Sequence, residues 1–307
     1  MTDDPKLEDD SERLAKVLGN VLQLSANESL VAAQLEAFSI FHPMPAELDL
    51  TKGSALQSKL SHLSTALGGP PRLIITKQGE RPPQFDTYAD AAISEAIDAF
   101  MLARSSICRT HIYLIGSALI KQRPELMNLP QDPEIRRIIV TQVEAYFWEH
   151  TETSYIRLAS FWDRVGQLLD FAFFNIRQYE HDGFYAVMER ISKNFIAMNQ
   201  TNVRSATWAR LRKFQASGQP DGLQWLLSRR NLLVHSLHLR RPRENEPDNP
   251  IFTSAYNHLE QAVRNKLRQG TAEEEVSLLH QHLSAAATLF PDAVEVALTE
   301  SPSAGHT

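Results

Sequence analysis

The chain has 307 residues, with 31 Lys and Arg against 37 Asp and Glu, 43% apolar residues and one cysteine. Its 14 Phe, 7 Tyr and 4 Trp supply ample surface for a packed core, which excludes wholesale disorder. The lone Cys108 excludes a disulfide framework and a cysteine-paired zinc site, and no stretch of ~18 apolar residues reads as a membrane span.

The acidic start, Met1-Thr2-Asp3-Asp4-Pro5, lacks the basic and apolar regions of a secretory signal, so a cytoplasmic location is expected. Residues 1–12 read as frayed. Helical periodicity then runs through Ser11–Leu24 and Asn27–Phe41, and His42-Pro43-Met44-Pro45 breaks it. Thr51–Leu67 is a third helix, closed by Gly68-Gly69-Pro70-Pro71. Arg72–Lys77 is short and β-branched, the one strand candidate. Thr87–Lys121 reads as a long helix. A second long helix starts at Asp132-Pro133-Glu134, where Asp caps and Pro fills the first turn. It runs towards Arg177, with a bend expected near Thr151–Ser154.

Past His181-Asp182-Gly183 come helices over Phe184–Met198, Val203–Gln215 and Gly222–Leu239. The proline-rich stretch Pro242–Pro250 reads as a loop. Ile251–Arg268 and Ala272–Leu289 form a closing pair, and the tail from Pro291 shows no core pattern. The expected fold is all-α with at most one short β element. The expected parts are an accessory helical region over 1–85, a helical bundle over 86–245, a helical pair packed on it over 251–290, and a disordered tail over 291–307.

The net charge of −6 hides an asymmetry. Between Thr201 and Arg243 stand nine cations and one acid, Asp221, so the rest of the chain carries −14. A local basic segment in an acidic protein suits a place where phosphates are held, and equally a solvated face paired with acidic neighbours. Within it, Gln224, Ser228, Asn231, His235 and His238 fall in one stripe of a helix otherwise rich in Leu, Val and Trp. Such a stripe faces solvent or a partner, because each buried unpaired polar group costs ~1–3 kcal/mol. Arg230 and His235 are about 140° apart around the axis, so joint action needs a long reach or a second subunit. Asn231 and His235, four apart, can touch.

Arg230-Asn231-Leu232-Leu233-Val234-His235 resembles the Arg-(four to six residues)-His signature of the HEPN superfamily, in which a polar residue often follows the Arg. The stretch Ser160–Leu169 is similar to an early bundle helix in a bacterial branch of that superfamily. The resemblance covers a third to a half of the chain. It implies a HEPN-like bundle and a metal-independent endoribonuclease without cofactor, its site built across a homodimer. RNA supplies its own nucleophile, the 2′-hydroxyl, so His235 would move the proton and Arg230 would stabilise phosphoryl charge. Asn231 would orient the imidazole. Ser228, Arg229, Arg240 and Arg241 are the expected RNA contacts, with Asp163 and His238 in support. Asp163 is set against an ordinary salt bridge to Arg164 or Arg157. A toxin–antitoxin or defence setting, with an antitoxin or other protein partner, is the expected context. A non-catalytic HEPN module that dimerises or binds a nucleotide or partner is the alternative, and an unrelated helical scaffold stays open.

Other patterns carry less. Arg104 and His111 also match the signature, but without Asn after the Arg. His235-x-x-His238 lacks a third zinc ligand, and Cys108-x-x-His111 lies in an apolar helical run. Gly68-Gly69 is not followed by the Lys-Ser or Lys-Thr of a phosphate loop.

Overall fold

The computed structural model describes residues 48–68, 88–123, 125, 133–176, 183–196, 205–235, 239 and 269–300, with isolated positions between 15 and 33. All regular structure among them is helical, and the fold is all-α. The strand expected at 72–77, the helix at 251–268 and the chain end after Glu300 lie outside the described residues. So do most of the helices expected over 11–41, of which Ala15, Ala26, Glu28–Leu30 and Ala33 are described, all helical. The chain divides into two compact units, Met1–Pro43 and Met44–Thr307, and the second holds everything below. The accessory region expected over 1–85 spans the boundary between the two.

The helices are α1 (Ala55–Leu67), α2 (Tyr88–Gln122), α3 (Pro133–Phe174), α4 (Phe184–Ile191, continued by a π-helical turn Ser192–Ile196), α5 (Ala206–Ala216), α6 (Leu223–His235) and α7 (Ala272–Glu300). Their starts follow from side-chain caps. Ser54 and Ser205 accept the N–H of Gln57 and Trp208, each at 3.1 Å. Thr271 and Glu274 bond each other's backbone N–H reciprocally, a capping box that opens α7.

Helices α2 and α3 form the antiparallel hairpin on which the rest is built. Tyr88 meets Phe171, Phe100 meets Phe161, and Lys121 pairs with Glu144 at 2.5 Å. Helix α3 runs unbroken through Thr151–Ser154, where a bend is expected from the sequence. Both hydroxyls donate to the carbonyls one turn earlier, Phe147 and His150, so these buried polar side chains are satisfied without breaking the helix. From Tyr155 to Phe171, α3 buries its apolar side chains against several neighbouring helices and keeps one polar row, Ser160, Asp163, Arg164 and Gln167. Phe161 packs on Phe100 of α2 and Phe290 of α7, while its neighbour Trp162 packs on Phe184 of α4 and Phe214 of α5. Gly166 lets α4 approach: a Cβ there would lie 2.8 Å from the Phe184 backbone.

The C-terminal reading needs correction. Helix α7 passes through Pro291 and runs to Glu300, so residues 291–300 are not a tail. Proline removes one helical hydrogen bond, a cost of ~3 kcal/mol. Burial of Ala293, Val294, Val296 and Ala297 offsets it, with Arg210 on Asp292 and Lys59 on Glu295 holding the segment to α5 and α1. Among the described residues no helix is long and apolar enough to cross a membrane.

One polar network sits inside the apolar core. Arg229 of α6 is fully buried and its guanidinium pairs with Glu275 of α7 at 2.5 Å. Glu275 also accepts the Tyr155 hydroxyl at 2.6 Å and the Gly270 N–H at 2.8 Å. Burial and the Glu275 charge push the Tyr155 phenol well above its ordinary range, so it stays a donor. The guanidinium carbon lies 5.5 Å from the ring centres of both Tyr155 and Trp225. Glu275→Ala should therefore strand a buried cation and destabilise the protein by ~3–5 kcal/mol. Lys59→Ala, which breaks an exposed pair, should cost no more than ~1 kcal/mol. Chemical denaturation of the two variants checks this, and equal losses would show that water reaches Arg229.

Candidate functional site

The core face of α6 is Leu226, Arg229 and Leu233, at i, i+3 and i+7. This turns Ser228, Asn231 and His235 outward, and all three are exposed. These three members of the polar stripe thus face away from the core. Arg230 falls on the flank between the two faces. With Leu227 and Asn231 it forms one wall of an open cleft of about 530 Å³.

The opposing wall is α3. Ser160, Asp163, Arg164 and Gln167 line it at i, i+3, i+4 and i+7, and Gly183, Tyr185 and Ala186 at the start of α4 complete the cleft. The cleft therefore joins the two stretches that carry the resemblance, although 60 or more positions separate them. Arg164, Gln167 and Tyr185 were not singled out from the sequence. A signal existed for the first two: a polar row with helical spacing on a segment otherwise full of aromatics. Nothing local marks Tyr185, which reaches the site only through the packing of α4 on Gly166.

Asp163 has two tasks. It accepts the Phe184 N–H, capping α4 from another helix in place of the side chain that Gly183 lacks. A Cβ on Gly183 would lie 2.6 Å from its Oδ1, so the cap requires glycine there. Its charge also faces those of Arg230 and Arg164. Burial raises its pKa, and the two arginines and the Phe184 N–H oppose that rise without cancelling it. The salt bridge weighed for it goes elsewhere: Arg164 pairs with Glu95 at 3.1 Å, and Arg157 donates to the Leu102 carbonyl.

The arginines of the basic segment separate sharply. Arg229, expected to touch RNA, is instead buried on Glu275; its position on the core face of α6 removes it from any ligand surface. Arg210 grips Asp292 with two hydrogen bonds, and Arg212 pairs with Glu189 at 2.7 Å. Arg230 instead donates to Asn231 Oδ1 at 3.0 Å. That bond, rather than one to His235, sets the Asn231 amide. His235 lies a turn beyond Asn231 and does not line the cleft. The Ser228 hydroxyl donates to the Gln224 carbonyl at 2.7 Å, one turn back. His238, Arg240 and Arg241 lie outside the described residues.

Other polar clusters are structural. His282 is buried against Trp225 and the Pro220 carbonyl, and desolvation lowers its pKa to about 4. His111 and His280 lie ring to ring at 5.3 Å. Among the described residues no group of three His, Cys, Asp or Glu is placed to hold a metal ion. No family model, curated protein or solved structure matches the chain.

The Asp163 shift has a measurable sign. An acid whose folded pKa is raised binds more protons folded than unfolded. Stability therefore falls as pH climbs from the ordinary value of 3.8 through the raised one. Asp163→Asn keeps an oxygen for the Phe184 N–H without the buried charge. It should melt above the wild type at pH 7, with the gap closing towards pH 3. A gap that is constant with pH would show that Asp163 is not desolvated.

Proposed function

We propose that the cleft binds the phosphate of RNA and that two copies of the chain form a metal-independent endoribonuclease of HEPN type. The observation that carries this reading is the placement of Arg230. Three arginines of the basic segment are paired with carboxylates, whereas Arg230 stands on the wall of an open cleft, hydrogen-bonded to the Asn231 amide and facing the charge of Asp163. A guanidinium fork suits phosphoryl oxygens, and it is charged at any physiological pH. His235 is exposed on the same helix but outside that wall, so a second copy must bring an imidazole to the scissile phosphate. One imidazole takes the 2′-hydroxyl proton as the 2′-oxygen bonds to phosphorus. The other protonates the departing 5′-oxygen as its bond breaks. A toxin or defence role, with a protein antitoxin, belongs to this same proposal.

A second reading is favoured by one feature, the exclusion of His235 from the Arg230 cleft. On it, the cleft holds a phosphate-bearing ligand without cleaving it. Kinetics separates the two. If the first holds, the protein cleaves RNA in EDTA, leaves 2′,3′-cyclic phosphate ends and spares a site with a 2′-deoxy residue. His235→Ala then costs about 10²–10⁴-fold. Arg230→Ala costs about 10²–10³-fold. Ser228→Ala, whose hydroxyl is spent within the helix, changes little. Full activity in the Arg230→Ala/His235→Ala double variant, or a strict monomer that still cleaves, would sink the composite site.

A further inference from the structure

The cleft is larger than a phosphate needs, and its lining is not uniform. Its volume of about 530 Å³ falls in the roughly 300–1,000 Å³ range of small-molecule sites. Arg230 and the Glu95-paired Arg164 bring positive charge and Asp163 a carboxyl group, while Tyr185, Ala186 and Leu227 supply an apolar surface in the same hollow. Tyr185 is 37% exposed, among the few large aromatic side chains left open to solvent. It is held from below, because Gln215 of α5 donates to its backbone carbonyl at 3.1 Å. An exposed tyrosine held by its backbone on the wall of a cleft, beside a cation, suits the stacking of a flat ring that carries an anion.

The two amides sharpen this. Gln167 accepts from Arg164 at 2.9 Å, and Asn231 accepts from Arg230 at 3.0 Å. An amide whose oxygen is tied to a guanidinium presents its NH2 end to whatever enters. Alongside the Asp163 carboxyl, the cleft thus offers two amide donors and two guanidinium groups, which match a ligand rich in acceptors. A phosphate is one such group. The O6 and N7 edge of guanine is another.

We infer that the cleft is a nucleotide site, with the phosphate on Arg230 and the base stacked on Tyr185, which makes Tyr185 the residue that tells a nucleotide from a bare phosphate. This rests on the reading of the cleft as an RNA site and names what that site recognises: one unpaired nucleotide, its base turned out of any helix. A duplex keeps both faces of each base covered and leaves nothing for Tyr185 to stack on.

The test compares guanosine 5′-monophosphate with ribose 5-phosphate, which keeps the sugar and phosphate but lacks the base. Titration calorimetry on the full-length protein should show the nucleotide binding more tightly. Tyr185→Ala should lower nucleotide affinity by about 5- to 150-fold, the usual loss of a stacked base, and leave ribose 5-phosphate unchanged. Tyr185→Phe, which keeps the ring, should restore the preference. Arg230→Ala should weaken both ligands. Because the Tyr185 side chain is exposed, matched melting curves will show that the variants fold. Equal binding of the two ligands, no binding of either, or a preference that survives Tyr185→Ala would each overturn the inference. Base-dependent binding by a protein that cleaves no RNA would end the ribonuclease reading and leave this one standing. Cleavage with no preference for the base would do the reverse.

Discussion

The ion pair between Arg229 and Glu275 ties together three helices that are far apart in sequence. Burying both charges carries a desolvation penalty of several kcal/mol per ion, so the pair is a poor source of net stability by itself. Its consequence is geometric. Glu275 meets one guanidinium, one phenol and one backbone N–H, and these fix α6 and α7 against α3 in a single rotation. Successive helical residues lie about 100° apart, so the rotation that puts Arg229 in the core puts Arg230 on the flank. The buried arginine determines where its neighbour points. A pair of leucines in its place could pack as well but would leave that rotation less closely defined.

The cleft inherits its character from the same constraint. Arg230 is carried towards α3, where Asp163 already serves α4 as a cap. Burial raises the Asp163 pKa while the charges of Arg230 and Arg164 hold it down, so one carboxyl group serves both as the cap of α4 and as the acidic neighbour of the cleft arginines. The two glycines belong to this arrangement: Gly166 admits the α4 backbone, and Gly183 leaves room for the Asp163 carboxylate.

Much of the helical order was legible because periodicity and punctuation are local. Pro133 opens α3, Gly183 precedes α4, and the polar stripe of α6 faces outward. Local signals also misled. Pro291 hid the set Phe290, Ala293, Val294 and Ala297, a helical row that continues the core. At Thr151 and Ser154 the helix continues, with both hydroxyls bonded to carbonyls one turn back. Arg229 and Arg230 could not be told apart by charge. Only the phase of α6, set by Leu226 and Leu233, separates a core residue from a ligand residue, and the partner that makes burial tolerable is 46 positions away. For the same reason Tyr185 stayed hidden, since it enters the cleft through tertiary packing alone.

The same helical phase bears on what one chain can do alone. With four residues between them, an arginine and a histidine on one helix point about 140° apart. Lengthening either side chain cannot close that angle, since the imidazole is short and Arg230 is held by Asn231. On the reading proposed above, a single α6 would offer a phosphate grip on one side and a proton-transfer group on another. In the proposed dimer a twofold axis would repeat both groups and bring the histidine of one helix to the arginine wall of the other. The exposed row of Asn231, Val234 and His235 is the part of α6 that such an axis would use, because the opposite face is already filled by the core. The core pair and the outward row are thus two ends of one requirement. Fixing the inner face of α6 so firmly leaves its outer face as a rigid and repeatable surface.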